Sequence, residues 1–402
     1  MNYRVKGNAL QYTLVIGVIL CILILTLMMY LHLNGMFRQR SGAAIDQMHL
    51  LEQSIIENES AARNDITLTS IPWGGYQLTT AASNSSSNNS LRDGMGAAAL
   101  LNYKFLPTSY ESTSLVIADS RSRFQVSGES VLKDRLQVPM GMITTASVGR
   151  RIYTGSKINL SLVAPSKELP VHPLEEFDWN YWDHFTEDIN YLEVSGSDVK
   201  VSFYNTTQVI SLNGNNNLMD GRFMGNLIIN SNGSITIGRD TQISDALIIA
   251  KEITIKNGFS GNLNLVARDT VIIEDNVKLR FPSSITIPKS VGSKAYMEIG
   301  RDSEVYGNIF QFNASEERAA QSQIRVDASS TINGLFYNLG ISELSGTYQG
   351  LALTNSTILK ENGSVYLNYA LDLKTGSIPW SRTYIGSYFE KQPNKTIGKW
   401  LY

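Results

Sequence analysis

The sequence predicts an all-β protein, a β-solenoid (β-helix) with about 18 residues per rung and an N-terminal transmembrane helix. Two patterns predict this fold: an uncharged apolar segment near the N-terminus and a regular repeat of short apolar triplets. The low charge content agrees with this prediction, because only 17% of the 402 residues are charged, whereas a typical soluble domain carries about 25% charged residues.

Charge and cysteine content exclude several classes of function. The formal net charge is −2, which argues against a nucleic-acid partner because phosphate binding requires a clustered basic surface. The single cysteine, Cys21, lies in the apolar segment. It excludes an internal disulfide and any cysteine-based zinc or iron–sulfur site.

Residues 10–33 are the predicted membrane anchor. No Asp, Glu, Lys or Arg lies between Lys6 and Arg38, and the segment is apolar except at Gln11, Thr13, Gly17, Thr26 and His32. About 20 apolar residues cross a bilayer core, and no small-residue cleavage site of a secretory signal follows the apolar run. We therefore expect a single-pass helix that contacts the lipid bilayer.

The charges beside the anchor predict its orientation. Arg4, Lys6 and the terminal amine precede it, and Arg38 and Arg40 follow it. Three positive charges against two favour an N-terminus in the cytoplasm. We expect a bacterial inner-membrane protein with residues 1–9 cytoplasmic and the C-terminal domain periplasmic.

A second helix is predicted over residues 34–65, next to the membrane. Ala44, Met48, Leu51 and Ile55 step by four, three and four positions, which places them on one face. This face is expected to pack on the following domain. The alternative is side-by-side association with a second helix.

The repeat lies in residues 196–365, the predicted solenoid. ITIGRD (235–240), ITIKNG (253–258) and VIIEDN (271–276) begin at equal intervals. An interval of about 18 residues is typical of hexapeptide β-helices with three faces per rung. The positions expected to share a register are Ile237, Ile255 and Ile273; Ile229, Leu247 and Leu265; and Ile243, Gly261 and Leu279.

A glycine signature overlies this repeat and predicts tight corners between faces. It recurs in FMGNLI (223–228), FSGNLNL (259–265), VYGNIF (305–310), INGLFY (332–337) and YQGLAL (348–353). Residues 66–170 are β-rich and are expected to supply the first part of the solenoid, since SLVIAD (114–119) has the pattern of a strand.

Residues 171–195 form an acidic, aromatic insertion that is predicted to be helical. Its apolar face comprises Leu174, Phe177, Tyr181 and Phe185. Its candidate metal ligands, which lack a recognised two-histidine spacing, are His172, Asp183, His184, Glu187 and Asp188. Trp179 and Trp182 are candidates for stacking on sugar rings. The favoured interpretation is a helix that packs on the solenoid.

The aromatic tail, residues 366–402, departs from the repeat. It is expected to fold back and cover the open end of the solenoid, because exposed strand edges recruit other chains. The alternative is a docking peptide for a partner. Trp400 and Tyr402, together with Trp179 and Trp182, are therefore the candidate interaction surface.

No catalytic residue, metal site or cofactor is predicted. The four histidines are at positions 32, 49, 172 and 184, so none lies in the main solenoid to act as a general base. Charged side chains of the types used by polysaccharide-cleaving β-helices fall at turn positions, where solvated charge is expected: Arg239, Asp240, Arg268, Asp269, Glu274, Asp275, Arg280, Arg301 and Asp302.

The V-x-G-x-I corners of the solenoid resemble those of bactofilins, polymer-forming β-helical scaffold proteins. This resemblance implies a structural role. Bactofilins lack a cap and join end to end, whereas the aromatic tail predicts a cap here.

The whole chain resembles a group of uncharacterised membrane-anchored β-helical proteins of Bacteroidetes bacteria, and no activity follows from that resemblance. The segments that carry it are KGNALQ (6–11), GNLIINS (225–231), LIIAKEITIKNGFSG (247–261), FPSSITI (281–287) and KWLY (399–402). The N-terminus is also similar to minor pilins, with Gly7 ahead of an apolar helix. Pilins carry Glu at the fifth position after their cleavage site, and Tyr12 stands there.

Together these features predict a single-pass cell-envelope protein whose β-helical domain is a scaffold or interaction domain. Its partners would be a second copy of the chain or another envelope protein. One alternative is a minor-pilin-like component of an envelope or secretion assembly. Another is a polysaccharide-binding or polysaccharide-cleaving β-helix.

Overall fold

The computed structural model describes residues 6–57, 66–83, 96–118, 120–180, 198–214, 216–289, 295–314, 323–377, 388–389 and 399–401. Within these ranges it has one α-helix, α1 (Lys6–Glu57), and 3-10 segments at Thr108–Tyr110, Pro139–Gly141, Leu160–Leu162 and Pro173–Glu176. Most of the remaining described residues lie in strands, which confirms the predicted strand-rich class.

The strands of the N-terminal half are β1 (Ile66–Trp73), β2 (Tyr76–Ser83), β3 (Gly96–Leu101), β4 (Thr113–Ile117), β5 (Phe124–Ser127), β6 (Val131–Leu132), β7 (Arg135–Val138), β8 (Ile143–Thr145), β9 (Val163–Pro165), β10 (Asp198–Val201), β11 (Gln208–Leu212) and β12 (Asn216–Leu218). Those that follow are β13 (Arg222–Gly225), β14 (Leu227–Ser231), β15 (Ser234–Ile237), β16 (Gln242–Ile255), β17 (Ser260–Ile273), β18 (Lys278–Ile287), β19 (Tyr296–Ile299), β20 (Glu304–Gln311), β21 (Gln323–Val326), β22 (Thr331–Glu343), β23 (Gly346–Glu361), β24 (Ser364–Leu367), β25 (Tyr369–Leu371), β26 (Leu373–Gly376) and β27 (Lys399–Leu401).

Helix α1 joins the two predicted helices into one. It is long and apolar enough to cross a membrane, with a mean hydropathy of 3.0 in its most apolar window, none of which is buried. Gly35 does not interrupt it, and no atom lies within 4 Å of the position its Cβ would occupy. The predicted end at residue 65 lies outside the described residues.

The end of α1 packs on a four-stranded antiparallel sheet with the order β1–β2–β3–β27. Leu51 and Ile55 are buried against Ala81, Ala97 and Ala99 of that sheet. The small alanine side chains let the helix backbone approach the sheet closely. The predicted helix face therefore contacts the following domain through its C-terminal half.

A second sheet has 20 strands and is almost entirely parallel. The chain passes through three ladders of paired strands in turn, here named A, B and C, and then returns to A. Ladder A is β10–β13–β16–β17–β18–β20–β22–β23–β26–β6; ladder B is β11–β14–β16–β17–β18–β20–β22–β23–β4–β7–β9; ladder C is β12–β15–β16–β17–β19–β21–β22–β23. A separate parallel sheet has the order β25–β5–β8.

The predicted repeat register is confirmed in ladder C, where Ile235 pairs with Ile253 and Ile253 with Val271. The next partners, Met297 and Ile324, follow at wider intervals because longer connections leave β18 and β20. The period thus holds only where the connections are short.

The predicted register of ladder B is wrong at one position. Ile229 pairs with Ile248, not with Leu247, and Ile248 pairs with Leu265. Leu247 belongs to the apolar cluster on the opposite side of the sheet, where it is also fully buried. Because ladder B is apolar on both faces, hydrophobic alternation cannot distinguish inward from outward residues there.

Where ladder A turns into ladder B, the predicted glycine corners are confirmed except at Gly261, which pairs with Leu279 and does not have a positive φ. Gly307 pairs with Gly334, and Gly334 with Gly350, and all three have positive φ, at 149°, 148° and 135°. A Cβ on Gly334 would overlap the backbone oxygen of Gly307. Only glycine fits these stacked corners.

Residues 66–170 do not form the first part of the parallel sheet. The antiparallel strands β1–β3 cover ladder B instead, and β4 pairs in parallel with β23 near the C-terminal end of the sheet. Strands β7 and β9 extend that end further. The edge strand of a parallel sheet has unpaired backbone N–H and C=O groups. A strand from a distant part of the chain can pair with them, so the order of strands in the sheet does not follow their order in the chain.

The predicted insertion and tail also differ from the structure. The described part of the insertion is a 3-10 turn, Pro173–Glu176, after which Phe177 is extended with ψ at 130°; residues 181–195 lie outside the described part. In the tail, β25 pairs in parallel with β5, β26 with β6, and β27 pairs with β3. The described strands of the tail therefore continue the sheets instead of forming a separate cap.

Candidate functional site

Two apolar cores meet at ladder B. The inner core contains alternate residues from all three ladders, such as Ile237, Ile248 and Phe223. The outer core lies between ladder B and the antiparallel sheet, where Leu247 and Leu335 belong to one cluster with residues of that sheet. We name this contact the junction, because it connects the helix-bearing sheet to the parallel ladders.

The tip of the β1–β2 hairpin is seated in the junction by hydrogen bonds. The backbone N–H of Gly75 donates to Ser284 Oγ at 2.7 Å, and the Tyr76 hydroxyl donates to the backbone oxygen of Ser283 at 3.0 Å. A Cβ on Gly75 would lie 2.6 Å from a ring carbon of Phe310. The Gly-Gly tip therefore lets the hairpin lie directly on ladder B.

Asp245 is the polar centre of the junction. Its backbone oxygen accepts from Trp73 Nε1 at 2.8 Å, and its carboxylate accepts from Asn262 Nδ2 at 2.7 Å. The same carboxylate forms an ion pair with Lys399 of β27. One residue with φ at 63° thus contacts the first and the last strands of the antiparallel sheet.

A buried polar network holds the C-terminal tail. Asn308 Nδ2 donates to Asn102 Oδ1 at 3.0 Å, and the Tyr388 hydroxyl donates to Asn308 Oδ1 at 2.6 Å. The backbone N–H groups of Phe105 and Leu106 donate to the Tyr388 carbonyl. Burial raises the pKa of Tyr388 far above its usual range, so the phenol stays protonated and remains a donor.

His172 is enclosed by aromatic rings. It is 1% exposed, and its ring centroid lies 4.3 Å from that of Phe105 and 4.6 Å from that of Phe310. Nδ1 accepts from the backbone N–H of Leu174 at 3.1 Å. Burial lowers the pKa of His172 to about 3, so the imidazole is neutral. Its ring contacts hold the segment before the 3-10 turn against Phe310 of ladder B.

The candidate interaction surface is only partly described. Trp179 is 3% exposed and packs edge-on against Phe177 at 4.9 Å, so it offers no open face for sugar stacking. Trp400 is half-buried in β27 and packs on the cluster under α1. Trp182 and Tyr402 lie outside the described residues.

Charged residues that follow paired strands of ladder C form ion pairs with one another. Arg301 Nη2 lies 3.2 Å from Asp275 Oδ2, and Lys256 Nζ lies 2.7 Å from Glu274 Oε1. Such exposed pairs contribute little individually. This geometry fits the expectation of solvated charge for Glu274, Asp275 and Arg301. Arg268 and Asp269, by contrast, lie within β17 and Arg280 lies within β18.

A metal site is not supported by the described residues, which contain no group of three or more His, Cys, Asp or Glu placed to hold an ion. Of the candidate ligands only His172 is described, and it faces aromatic rings.

Sequence reasoning missed Asp245, Asn308 and Lys399. Each lies in a segment whose local pattern is that of an ordinary strand or turn, so nothing nearby indicates a long-range contact. The Gly74-Gly75 doublet was the available signal, since adjacent glycines indicate a close backbone approach. Comparisons with protein-family models, with curated proteins and with solved structures return no significant match to this chain.

Proposed function

We propose that the three ladders form a β-solenoid, and that a single-pass anchor holds this solenoid in the bacterial cell envelope as a structural scaffold or interaction domain. The order of ladders, A to B to C and back to A, supports the solenoid. The inner core formed by all three ladders also supports it, because one rung cannot bury its own inner face.

The packing between anchor and solenoid carries the proposal. The end of α1 packs on the antiparallel sheet through Leu51 and Ile55, and that sheet covers ladder B through the junction. Packed side chains therefore connect the apolar helix to the ladders. A domain that is held in a defined orientation to a membrane requires such continuous packing between it and its anchor.

Cysteine labelling tests the membrane topology. In a Cys21→Ser background, Asn2→Cys and Lys200→Cys each provide one thiol, and Lys200 is exposed. A membrane-impermeant maleimide is expected to label Lys200→Cys in spheroplasts and Asn2→Cys only after permeabilisation. The reverse pattern contradicts a periplasmic solenoid. Labelling after permeabilisation is the positive control, because both thiols are then expected to react.

Crosslinking in intact cells tests the scaffold role. An amine-reactive crosslinker is expected to convert the full chain into dimers, larger oligomers or a complex with another envelope protein. The same treatment of detergent extracts diluted well below the cellular concentration is the control. A chain that remains monomeric in cells contradicts the scaffold proposal.

A second candidate is a minor-pilin-like component of an envelope assembly. It is favoured by the long single helix, whose first part is exposed and apolar and whose last turns pack on an antiparallel sheet. Assembly through the anchors would bring copies of the exposed thiol of Cys21 together. Oxidation of native membranes would then produce Cys21-linked dimers that Cys21→Ser abolishes, whereas an anchor that only tethers the solenoid gives none.

A further inference from the structure

Ladder A carries a polar groove on its outer face, away from the junction. The groove encloses about 380 Å³ and contains hydroxyl, amide and carboxylate groups together with one aromatic ring. Its lining residues are Asp302, Glu304, Tyr306, Ser329, Thr331, Asn333 and Gln349. This combination provides both donors and acceptors of hydrogen bonds along one surface.

The lining side chains are in register on successive rungs. Tyr306 pairs with Asn333, and Asn333 pairs with Gln349. Neighbouring strands are about 4.8 Å apart, so this row of three spans about 10 Å. On the next rung the partner of Gln349 is Gly376, which adds no side chain and leaves that end of the row open.

The aromatic ring is held in place by charge. The Tyr306 hydroxyl donates to Glu304 Oε2 at 3.0 Å, and Lys278 Nζ lies 2.9 Å from Glu304 Oε1. The hydrogen bond from Lys278 lowers the pKa of Glu304, so the carboxylate is ionised at neutral pH. These contacts hold the Tyr306 hydroxyl beside Glu304, at one side of the groove.

The groove excludes several kinds of ligand. Strands β20 and β22 are paired on both sides, so a peptide cannot add to them as a further strand. Two carboxylates, Asp302 and Glu304, disfavour nucleic acids and other polyanions. The lining contains no aliphatic side chain, which disfavours a lipid chain.

We propose that this groove binds an uncharged glycan that lies along ladder A. The Tyr306 ring supports one sugar ring, and the amides of Asn333 and Gln349 bond to hydroxyl groups of the sugars that follow. The regular spacing of the rungs matches a repeating ligand better than a compact one. This binding role goes beyond a scaffold, and it does not depend on oligomerisation or on the orientation of the anchor.

Calorimetry on the full chain in detergent tests the proposal with defined probes. These are chitohexaose, cellohexaose and mannohexaose, with oligogalacturonate as an anionic comparison. At least one neutral hexasaccharide is expected to bind with a Kd below about 1 mM, and oligogalacturonate more weakly. Tyr306→Ala is expected to weaken binding about tenfold or more, and Asn333→Ala or Gln349→Ala about two- to tenfold.

Gln242→Ala is the matched control, because Gln242 is exposed on ladder A several rungs from the groove. It should leave the Kd unchanged, and thermal unfolding should show that all four variants remain folded. Three outcomes overturn the proposal: no neutral hexasaccharide binds below about 1 mM, binding survives the combined Tyr306, Asn333 and Gln349 substitutions, or Gln242→Ala weakens binding equally.

Discussion

Lys399 and Asp245 lie far apart in the chain, yet Nζ of Lys399 lies 2.6 Å from Oδ1 and 2.7 Å from Oδ2 of Asp245. The Asp245 side chain is 13% exposed and that of Lys399 is 34% exposed. The pair joins the last described strand of the chain to the middle of the parallel sheet. It therefore ties the antiparallel sheet, and with it α1, to the three ladders.

We predict that Asp245→Asn destabilises the protein by about 2 kcal/mol, because it leaves the Lys399 ammonium without its charged acceptor. Asparagine tolerates positive φ, so the backbone is not strained. Thermal unfolding of the full chain in detergent measures the effect. Asp198→Asn, at an exposed end of ladder A with a long 3.9 Å contact to Arg222, is the control and should change stability by less than about 0.5 kcal/mol.

Gly75→Ala should weaken the seating of the hairpin on ladder B. Its Cβ would lie 2.6 Å from a ring carbon of Phe310 and 2.9 Å from Ser284 Cβ, so the two sheets must separate. We expect a loss of about 1–3 kcal/mol. Gly42→Ala in α1, where no atom lies within 4 Å, should be neutral or slightly stabilising; equal losses for the two variants would count against this account of the junction.

Gly334→Ala should be more damaging than a substitution at an open glycine with positive φ. At Gly334 the new methyl group overlaps the backbone oxygen of Gly307. Gly363 has φ at 78° and open space around it, so Gly363→Ala incurs backbone strain alone, about 1–2 kcal/mol. Denaturant unfolding should give a lower free energy of unfolding for Gly334→Ala than for Gly363→Ala. The opposite order would contradict the stacked-corner geometry.

Stability should fall in acid because of His172. Its pKa is about 3 in the folded protein and about 6.5 in an unfolded chain, so the unfolded state binds one more proton between these values. The contribution is fully present above pH 6.5 and is lost at about 1.4 kcal/mol per pH unit as the pH falls toward 3.

The variant His172→Phe isolates that contribution, since a phenyl ring suits the surrounding aromatic cluster and cannot titrate. Its unfolding midpoint should decline less between pH 6.5 and pH 4 than that of the parent chain. His49→Phe, at an exposed position on α1, is the comparison for loss of an imidazole outside the aromatic cluster. Parallel pH profiles for His172→Phe and the parent would show that His172 is not the titrating group.

Short-range patterns in the sequence predicted much of the parallel sheet. Ile235, Ile253 and Val271 recur at a constant interval because the connections between successive paired strands are short there. The stacked corners at Gly307 and Gly334 were also predictable, since only glycine adopts that backbone without a clash. Both signals are local consequences of backbone geometry.

Long-range contacts could not be predicted in the same way. Leu247 and Ile248 are both fully buried, so no alternation reveals which of them faces the inner core. The placement of β4 next to β23 depends on which edge is free once the sheet has formed. The groove on ladder A likewise exists only because Tyr306, Asn333 and Gln349 are brought into one row by pairing.

The sequence by itself determined an apolar N-terminal helix, a strand-rich domain and a repeat that places similar residues at paired positions of neighbouring strands. These properties follow from composition and backbone preference, which act over a few residues. The tertiary structure alone decided that strands of residues 113–165 join the far end of the sheet. It also decided that one antiparallel sheet links α1 to ladder B and that Lys399 meets Asp245. Those outcomes depend on burying two apolar faces and pairing polar groups between distant segments, so no short stretch of sequence contains them.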